Sequence, residues 1–194
     1  MAFLKNQVLE PTGPVIRTER LMLRIPLMSD YAQWASLRAM SRNHLTPWEP
    51  QWTADELTRS AYRRRIRHYT RELRDDLGYA FFIFDADRAL VGGVTLANVR
   101  RGVTQSAELG YWTGIPYASR GHMTAAVRSL FPYVFDSLRL HRLAAACLPS
   151  NRPSIRVLEK CGFQYEGLAR QYLKINGVWQ DHLLFARLDS DAKG

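Results

Sequence analysis

The sequence predicts an α+β fold, one mixed and mostly antiparallel sheet of about seven strands flanked by helices in a single domain. Three observations carry that prediction. A continuous apolar run, Tyr79–Phe84, is bounded by Gly78 and by Asp85-Ala86-Asp87 and leads into Ala89–Leu96, the pattern of two strands joined by a tight turn. The stretch AELGYWTGIPYASRGHMTAAV, residues 107–127, changes period in its middle. Its first part, Ala107–Thr113, is aromatic and β-favouring, whereas from about His122 to Leu138 the residues Ala126, Leu130 and Val134 share one helical face. A strand, a helix and two closing strands follow, which completes an order that interleaves helices with one sheet.

Each element has its own signal. Residues 1–15 carry Pro11, Gly13 and Pro14 with no periodicity and read as an extended lead-in. Arg17–Arg24 sets Leu21 and Leu23 against Arg20, Met22 and Arg24, as a half-buried strand does. Ser29 is placed to cap a helix containing Trp34 and Leu37. The run Arg42–Pro50, with prolines at 47 and 50, cannot continue that helix and forms a rigid loop. Thr53 and Glu56 have capping-box spacing for an arginine-rich helix that ends near Gly78. Arg142–Leu148 reads as a strand and Arg152–Lys160 as a helix capped by Asn151. Phe163–Leu173 and His182–Leu188 close the sheet around an Asn176-Gly177 turn. The domain is expected over 16–188, with a tail at 189–194.

With 194 residues, 46% of them hydrophobic, the chain supports one substantial core. No apolar run approaches the roughly 18 residues that cross a bilayer, and the first residues lack the order of a signal peptide, so a cytoplasmic protein is expected. Cys147 and Cys161 lack metal spacing and read as buried thiols. The five histidines show no ligand grouping, and no metal is expected. The net charge of +9 favours anionic partners. Much of it lies in Arg59, Arg63, Arg64, Arg65, Arg67, Arg71 and Arg74, either as a solvated helix face or as a contact for the ribosome or RNA.

Gly114, Pro116 and Gly121 punctuate the crossing from strand to helix, and a helix start free of side-chain obstruction is an anion site suited to a pyrophosphate. The run Tyr117–Ala126, following Leu109-Gly110-Tyr111-Trp112, resembles the acetyl-CoA pyrophosphate loop of the GNAT N-acetyltransferases, Q/R-x-x-G-x-G/A. Ala118 replaces the usual Gln or Arg and Met123 the last Gly or Ala; the change at 118 removes a side chain and leaves the backbone amides. Arg17–Arg24 is similar to the start of many GNAT chains. His44–Pro50, HLTPWEP, resembles the signature of the RimJ/RimL branch, which acetylates N-terminal amines of ribosomal proteins. The resemblance covers about residues 16–188. It implies that the strands at 107–113 and 142–148 splay apart to admit the pantetheine arm of acetyl-CoA. Its cofactor contacts fall on Tyr111, Trp112, Thr113, Ser119, Arg120, Gly121, His122, Met123, Thr124 and Asn151.

An α-amine, with a pKa of about 7.7–8.0 against about 10.4 for lysine, needs only a modest base. Glu108 is the expected base, by the resemblance; otherwise it faces solvent at a strand start. For the leaving thiolate, Leu158 stands where many family members carry a tyrosine. Ser154 is the expected group at the sulfur, unless it only closes the helix start, and Tyr172 is the alternative acid. Asn151 both caps its helix and bonds the pantetheine amide, and a backbone N–H near Tyr111 or Trp112 polarises the carbonyl. Trp48 and Glu49 form an apolar plate beside a carboxylate that suits a cationic terminus, or a hinge with Trp48 packed inward. Asp181 either meets the amine or pairs with an arginine. The expected reaction is acetyl transfer to the N-terminus of a ribosomal protein beginning with Ala or Ser. A small-molecule amine acceptor and a catalytically silent ribosome- or RNA-binding protein are the alternatives, and monomer and homodimer both stay open.

Overall fold

The computed structural model describes residues 13–192, so most of the expected lead-in over 1–15 lies outside the described residues. The strands are β1 Val15–Arg17, β2 Met22–Arg24, β3 Tyr79–Phe84, β4 Leu90–Arg100, β5 Ser106–Thr113, β6 Arg142–Cys147, β7 Gln164–Ile175 and β8 Val178–Leu188. They form one 8-stranded sheet in the order β1-β2-β3-β4-β5-β6-β8-β7. Every neighbouring pair is antiparallel except β5 with β6. The helices are α1 Tyr31–Met40, α2 Arg42–Leu45, α3 Arg59–Arg74, α4 His122–Phe131 and α5 Arg152–Lys160, and α4 runs on into a wider turn over Pro132–Ser137.

The helices cover both faces. Tyr79, Phe81 and Ile83 pack with Leu130 of α4, Val134 of its continuation and Leu158 of α5. Phe82 and Phe84 pack on the opposite face with Trp34 and Leu37 of α1 and Tyr62 of α3. Burial on both sides explains why β3 is apolar without alternation.

Three local readings change. Arg17–Arg24 is two strands, because the Thr18 hydroxyl accepts the amides of Arg20 and Leu21 at 3.3 and 2.9 Å and turns the chain back on itself. Ser29 makes no cap; Asp30 accepts the Leu27 amide at 2.7 Å and is held by Arg24. The α3 cap is Thr58, whose hydroxyl accepts the Ala61 amide at 3.2 Å. Thr53 and Glu56 stand one turn earlier, where the Glu56 amide donates to Thr53 O and the Glu56 carboxylate holds Arg65. At the other end, Asp189–Ala192 forms a short turn in which Asp191 accepts the Leu188 amide at 2.9 Å.

The parallel pair positions the site. β5 and β6 pair from Ser106↔Arg142 to Leu109↔Ala145 and then part. Beyond that point Gly110–Thr113 stays paired with β4, while Ala146 and Cys147 stay paired with β8. The facing edges of β5 and β6 are therefore left without strand partners in the middle of the sheet.

Candidate active site

The parting opens into a cavity of about 510 Å³ that runs between β5 and β6 and under the start of α4. Its two ends are built differently.

At the α4 end the wall is backbone. Gly121, φ +82°, precedes the helix and supplies no side-chain cap, and the first helix amide with an internal acceptor is Ala125, bonded to Gly121 O at 3.0 Å. The amides ahead of it are open to a ligand, and the helix dipole adds to their attraction for an anion. Ser119, Gly121, His122, Met123 and Thr124 all line the cavity; Arg120 is exposed and does not. Met123 is 6% exposed with its side chain in the core, so only its backbone is available to the cavity. Arg156 and Lys160 of α5, not among the expected site residues, add two cations to the lining.

Midway, Tyr111, Trp112 and Thr113 of β5 face Asn151 and Ser154 of α5 across the gap. The Tyr111 hydroxyl lies 2.7 Å from Ser154 Oγ. Burial pushes the Tyr111 hydroxyl well above its ordinary range, outweighing the opposing hydrogen bond from Ser154, so it carries its proton at neutral pH. Asn151 Oδ1 accepts the Ser154 amide at 3.1 Å and thereby caps α5. Leu158 is fully buried in the core, so the place usual for a tyrosine acid holds none. Cys147 also lines the cavity, and burial raises its thiol.

At the far end the wall is side chain, drawn from segments distant in sequence: His44, Trp48 and Glu49 on one side, Leu173, Ile175 and His182 on the other. Both Glu49 oxygens accept from the buried Arg38 guanidinium at 2.7 Å, and Trp52 Nε1 donates to the same carboxylate at 2.8 Å. Arg38 is stacked 4.4 Å from the Trp52 ring and 5.1 Å from that of Trp112. Trp112 is in turn seated on Gly93, where a Cβ would come within 2.6 Å of its indole nitrogen. The Glu49 carbonyl accepts the Asn176 amide at 2.9 Å, which ties the loop to the β7–β8 turn.

Three expected residues are thereby reassigned by their geometry. Glu49 lines the cavity, but Arg38 already balances its charge. Glu108 does not line it; its carboxylate accepts from Asn98 Nδ2 at 2.9 Å. Asp181 is exposed, accepts the Gln171 amide at 2.8 Å and makes no ion pair among the described residues. Tyr172 is 40% exposed and outside the lining, with its ring edge toward His182. His182, by contrast, is 2% exposed and lines the cavity, a position that a lone histidine in a strand does not advertise in sequence. No group of three side chains among the described residues is arranged to hold a metal ion.

Comparison with known proteins gives a consistent picture. The family model described as an acetyltransferase (GNAT) domain matches residues 20–164. A Bacillus subtilis protein named "Probable N-acetyltransferase YjcK" is 37% identical, covering 91% of this chain and 98% of the relative. The "[Ribosomal protein uS5]-alanine N-acetyltransferase" of Escherichia coli is 30% identical over 91% of each. Among solved structures, Mycobacterium smegmatis RimJ in complex with CoA-disulfide superposes with a TM-score of 0.86 at 32% identity, covering 94% of this chain and 88% of that one.

Proposed function

The chain belongs to the GNAT acetyltransferase family, and on that premise we propose that it moves the acetyl group of acetyl-CoA to the N-terminal α-amine of a ribosomal protein beginning with Ala or Ser. The observation that carries the reaction is the parting of β5 from β6, which joins an anion site to an apolar chamber through one continuous cavity. The choice of acceptor is supported by the relative that acetylates the alanine terminus of uS5.

The residues present fit acetyl-CoA. The open amides over 119–124, with Arg156 and Lys160 beside them, suit its phosphates, and Gly121 holds the φ +82° that lets the chain enter the helix without a side chain over the site. The free edge of Gly110–Thr113 suits the amides of pantetheine. Asn151 has its oxygen engaged on Ser154 N and its amide N–H groups left to donate to the same arm. The acetyl group would then lie beside the hydrogen-bonded Tyr111 and Ser154 hydroxyls, where a β5 backbone N–H would polarise the carbonyl and that hydroxyl pair would hand a proton toward the departing sulfur. The acceptor terminus enters along Trp48, Leu173 and Ile175, and the Arg38–Glu49 pair holds that wall in place. Glu108 and Asp181, both outside the lining, take no part in the step.

A ribosomal acceptor also gives the arginines of α3 a use. Arg64, Arg65 and Arg74 are paired with Asp55, Glu56 and Asp75, whereas Arg63, Arg67 and Arg71 are exposed and make no ion pair among the described residues. Those three suit rRNA phosphates, and the site of action is then the cytoplasm.

The test is thiol release from acetyl-CoA with peptides beginning with Ala, Ser or Met, and with polyamines, using Gly121→Trp as a blocked control. A side chain forced to φ +82° is strained by about 1–2 kcal/mol and a bulky one fills the anion site. Turnover with Ala or Ser peptides, lost in the control, is the expected result. Turnover with polyamines and with no peptide overturns the acceptor.

A further inference from the structure

Every acid expected to serve the amine is engaged elsewhere: Glu108 and Asp181 lie outside the cavity and Glu49 is matched by Arg38. One buried titratable group of the cavity has no use in the mechanism above. His182 of β8 lines the acceptor end, is 2% exposed, and has Nδ1 2.9 Å from the Gln180 carbonyl oxygen. A carbonyl only accepts, so Nδ1 carries the hydrogen, and in the neutral ring Nε2 is left with its lone pair. Nε2 has no hydrogen-bond partner among the described residues. It is nevertheless absent from the fully enclosed, unpartnered side-chain atoms, which among the described residues are Arg38 Nε and Arg187 Nε alone. An oriented imidazole thus presents an open acceptor nitrogen on the wall of the chamber where the amine must lie.

We propose that His182 Nε2 is the general base that takes the proton from the acceptor ammonium, a role beyond the family's motif positions. The inference rests on acetyl transfer to an amine and not on which protein supplies it. An N–H proton passes from R–NH3+ to Nε2, giving imidazolium and R–NH2. The amine lone pair then attacks the thioester carbonyl carbon, forming C–N. The C–S bond breaks with its electron pair going to sulfur, the thiolate takes a proton through the Ser154–Tyr111 hydroxyl pair, and the second N–H proton restores that pair. Imidazolium returns its proton to solvent when the product leaves, so the sum is amide, CoA thiol and one proton. The other titratable groups about the ring are Tyr172 from β7, His44 and Glu49 across the cavity, Cys147 of β6, and Asp181, turned away onto Gln171 N. His44 is the rival base, but no bond fixes its tautomer among the described residues.

The decisive experiment is the pH dependence of kcat/KM with an Ala-initiated peptide, for the wild type, His182→Gln and His44→Gln. The wild type gains activity along a limb that lies below the amine's own pKa. His182→Gln loses that limb and rises only through the amine's own pKa of about 8, leaving it about 10²-fold slow at pH 7 and closer to wild type above pH 8. His44→Gln keeps the limb. A uniform loss in His182→Gln at every pH, as from poorer packing, or loss of the limb in His44→Gln instead, overturns the proposal. A second readout needs neither turnover nor a variant: 15N NMR of the wild-type imidazoles with and without CoA joined through an acetyl linker to the α-amine of an Ala peptide. Nδ1 protonated, Nε2 bare, and a shift of Nε2 on adding the conjugate are expected. A protonated Nε2 or an unmoved signal counts against His182 even if no peptide turns over, whereas peptide inactivity alone counts against the acceptor reading.

Discussion

Beneath α4 the cavity is walled by unpaired amides and one glycine at φ +82°, whereas beneath the 44–49 loop it is walled by Trp48, the Glu49 carboxylate with Arg38 held behind it, two histidines and aliphatic side chains. The difference follows from what each end has to recognise. A pyrophosphate and a pantetheine arm are the same in every turnover, and backbone groups serve them whatever the neighbouring side chains are. An acceptor differs from enzyme to enzyme, and only side chains can be varied to suit it. The α4 end therefore relies on backbone that Ala118 and Met123 leave in place, while the far end depends on particular partners meeting across long stretches of chain.

The largest test of that contrast is Glu49→Gln. Arg38 keeps only 7% of its side chain exposed, and removing its counter-charge leaves a buried cation unbalanced, worth about 3 kcal/mol of stability. At this chain length that lowers Tm by roughly 6–12 °C. Calorimetry on the variant is expected to show that loss with acetyl-CoA affinity kept, and Arg38→Met with Glu49→Leu is expected to recover much of the stability. Equal damage to cofactor affinity would show that the two ends are one unit and break the comparison.

A smaller effect is expected from Ser154→Ala, at the boundary between the ends. The N-cap of α5 is Asn151 and survives, so stability changes by less than about 1 kcal/mol. The hydroxyl pair with Tyr111 is lost, and kcat falls about tenfold with KM for acetyl-CoA nearly unchanged, as steady-state kinetics would read. A rise in KM with kcat intact would instead make Ser154 a binding group.

The smallest effect sits under the backbone end. Cys161, beneath α4, is directed at Thr124 O at 3.6 Å, and burial pushes its thiol up to about 11 from 9.0. Because the folded value is the higher, the contribution is complete below pH 9, declines as the unfolded chain ionises, and is gone once pH passes about 11. Thermal melts across pH 8–11 are expected to fall more steeply in the wild type than in Cys161→Ala; parallel curves would remove the thiol from the account.

Legibility followed the same division. The anion end could be read because a tight crossing into a helix demands glycine, and Gly121 stands next to a clear change of period. β3 could be read because Tyr79–Phe84 is buried on both faces. Where side-chain oxygens compete for amides, the reading slipped: Thr18 folded one expected strand into a hairpin, and Thr58 displaced Thr53 as the α3 cap. The acceptor wall stayed hidden for a different reason. Arg38, Glu49 and Trp52 meet through tertiary packing, and Asn176 fixes the loop from across the sheet, so no local window contains the pattern. Glu108, expected as a base from its strand, lies outside the cavity lining and accepts from Asn98, which is turned toward it at φ +51° where the β4–β5 register slips.

The parted strands carry a mechanical consequence. A sheet interrupted after Leu109 and Ala145 is a beam with a notch, and load passes around the notch only through β4 and β8. Pantetheine bound along Gly110–Thr113, as proposed, would bridge that notch, so the cosubstrate would also splice the scaffold. Stiffness, resistance to melting and protection of those amides from exchange then rise with the ratio of acetyl-CoA concentration to its Kd, and the molecule is sturdiest when the cell is rich in acetyl units.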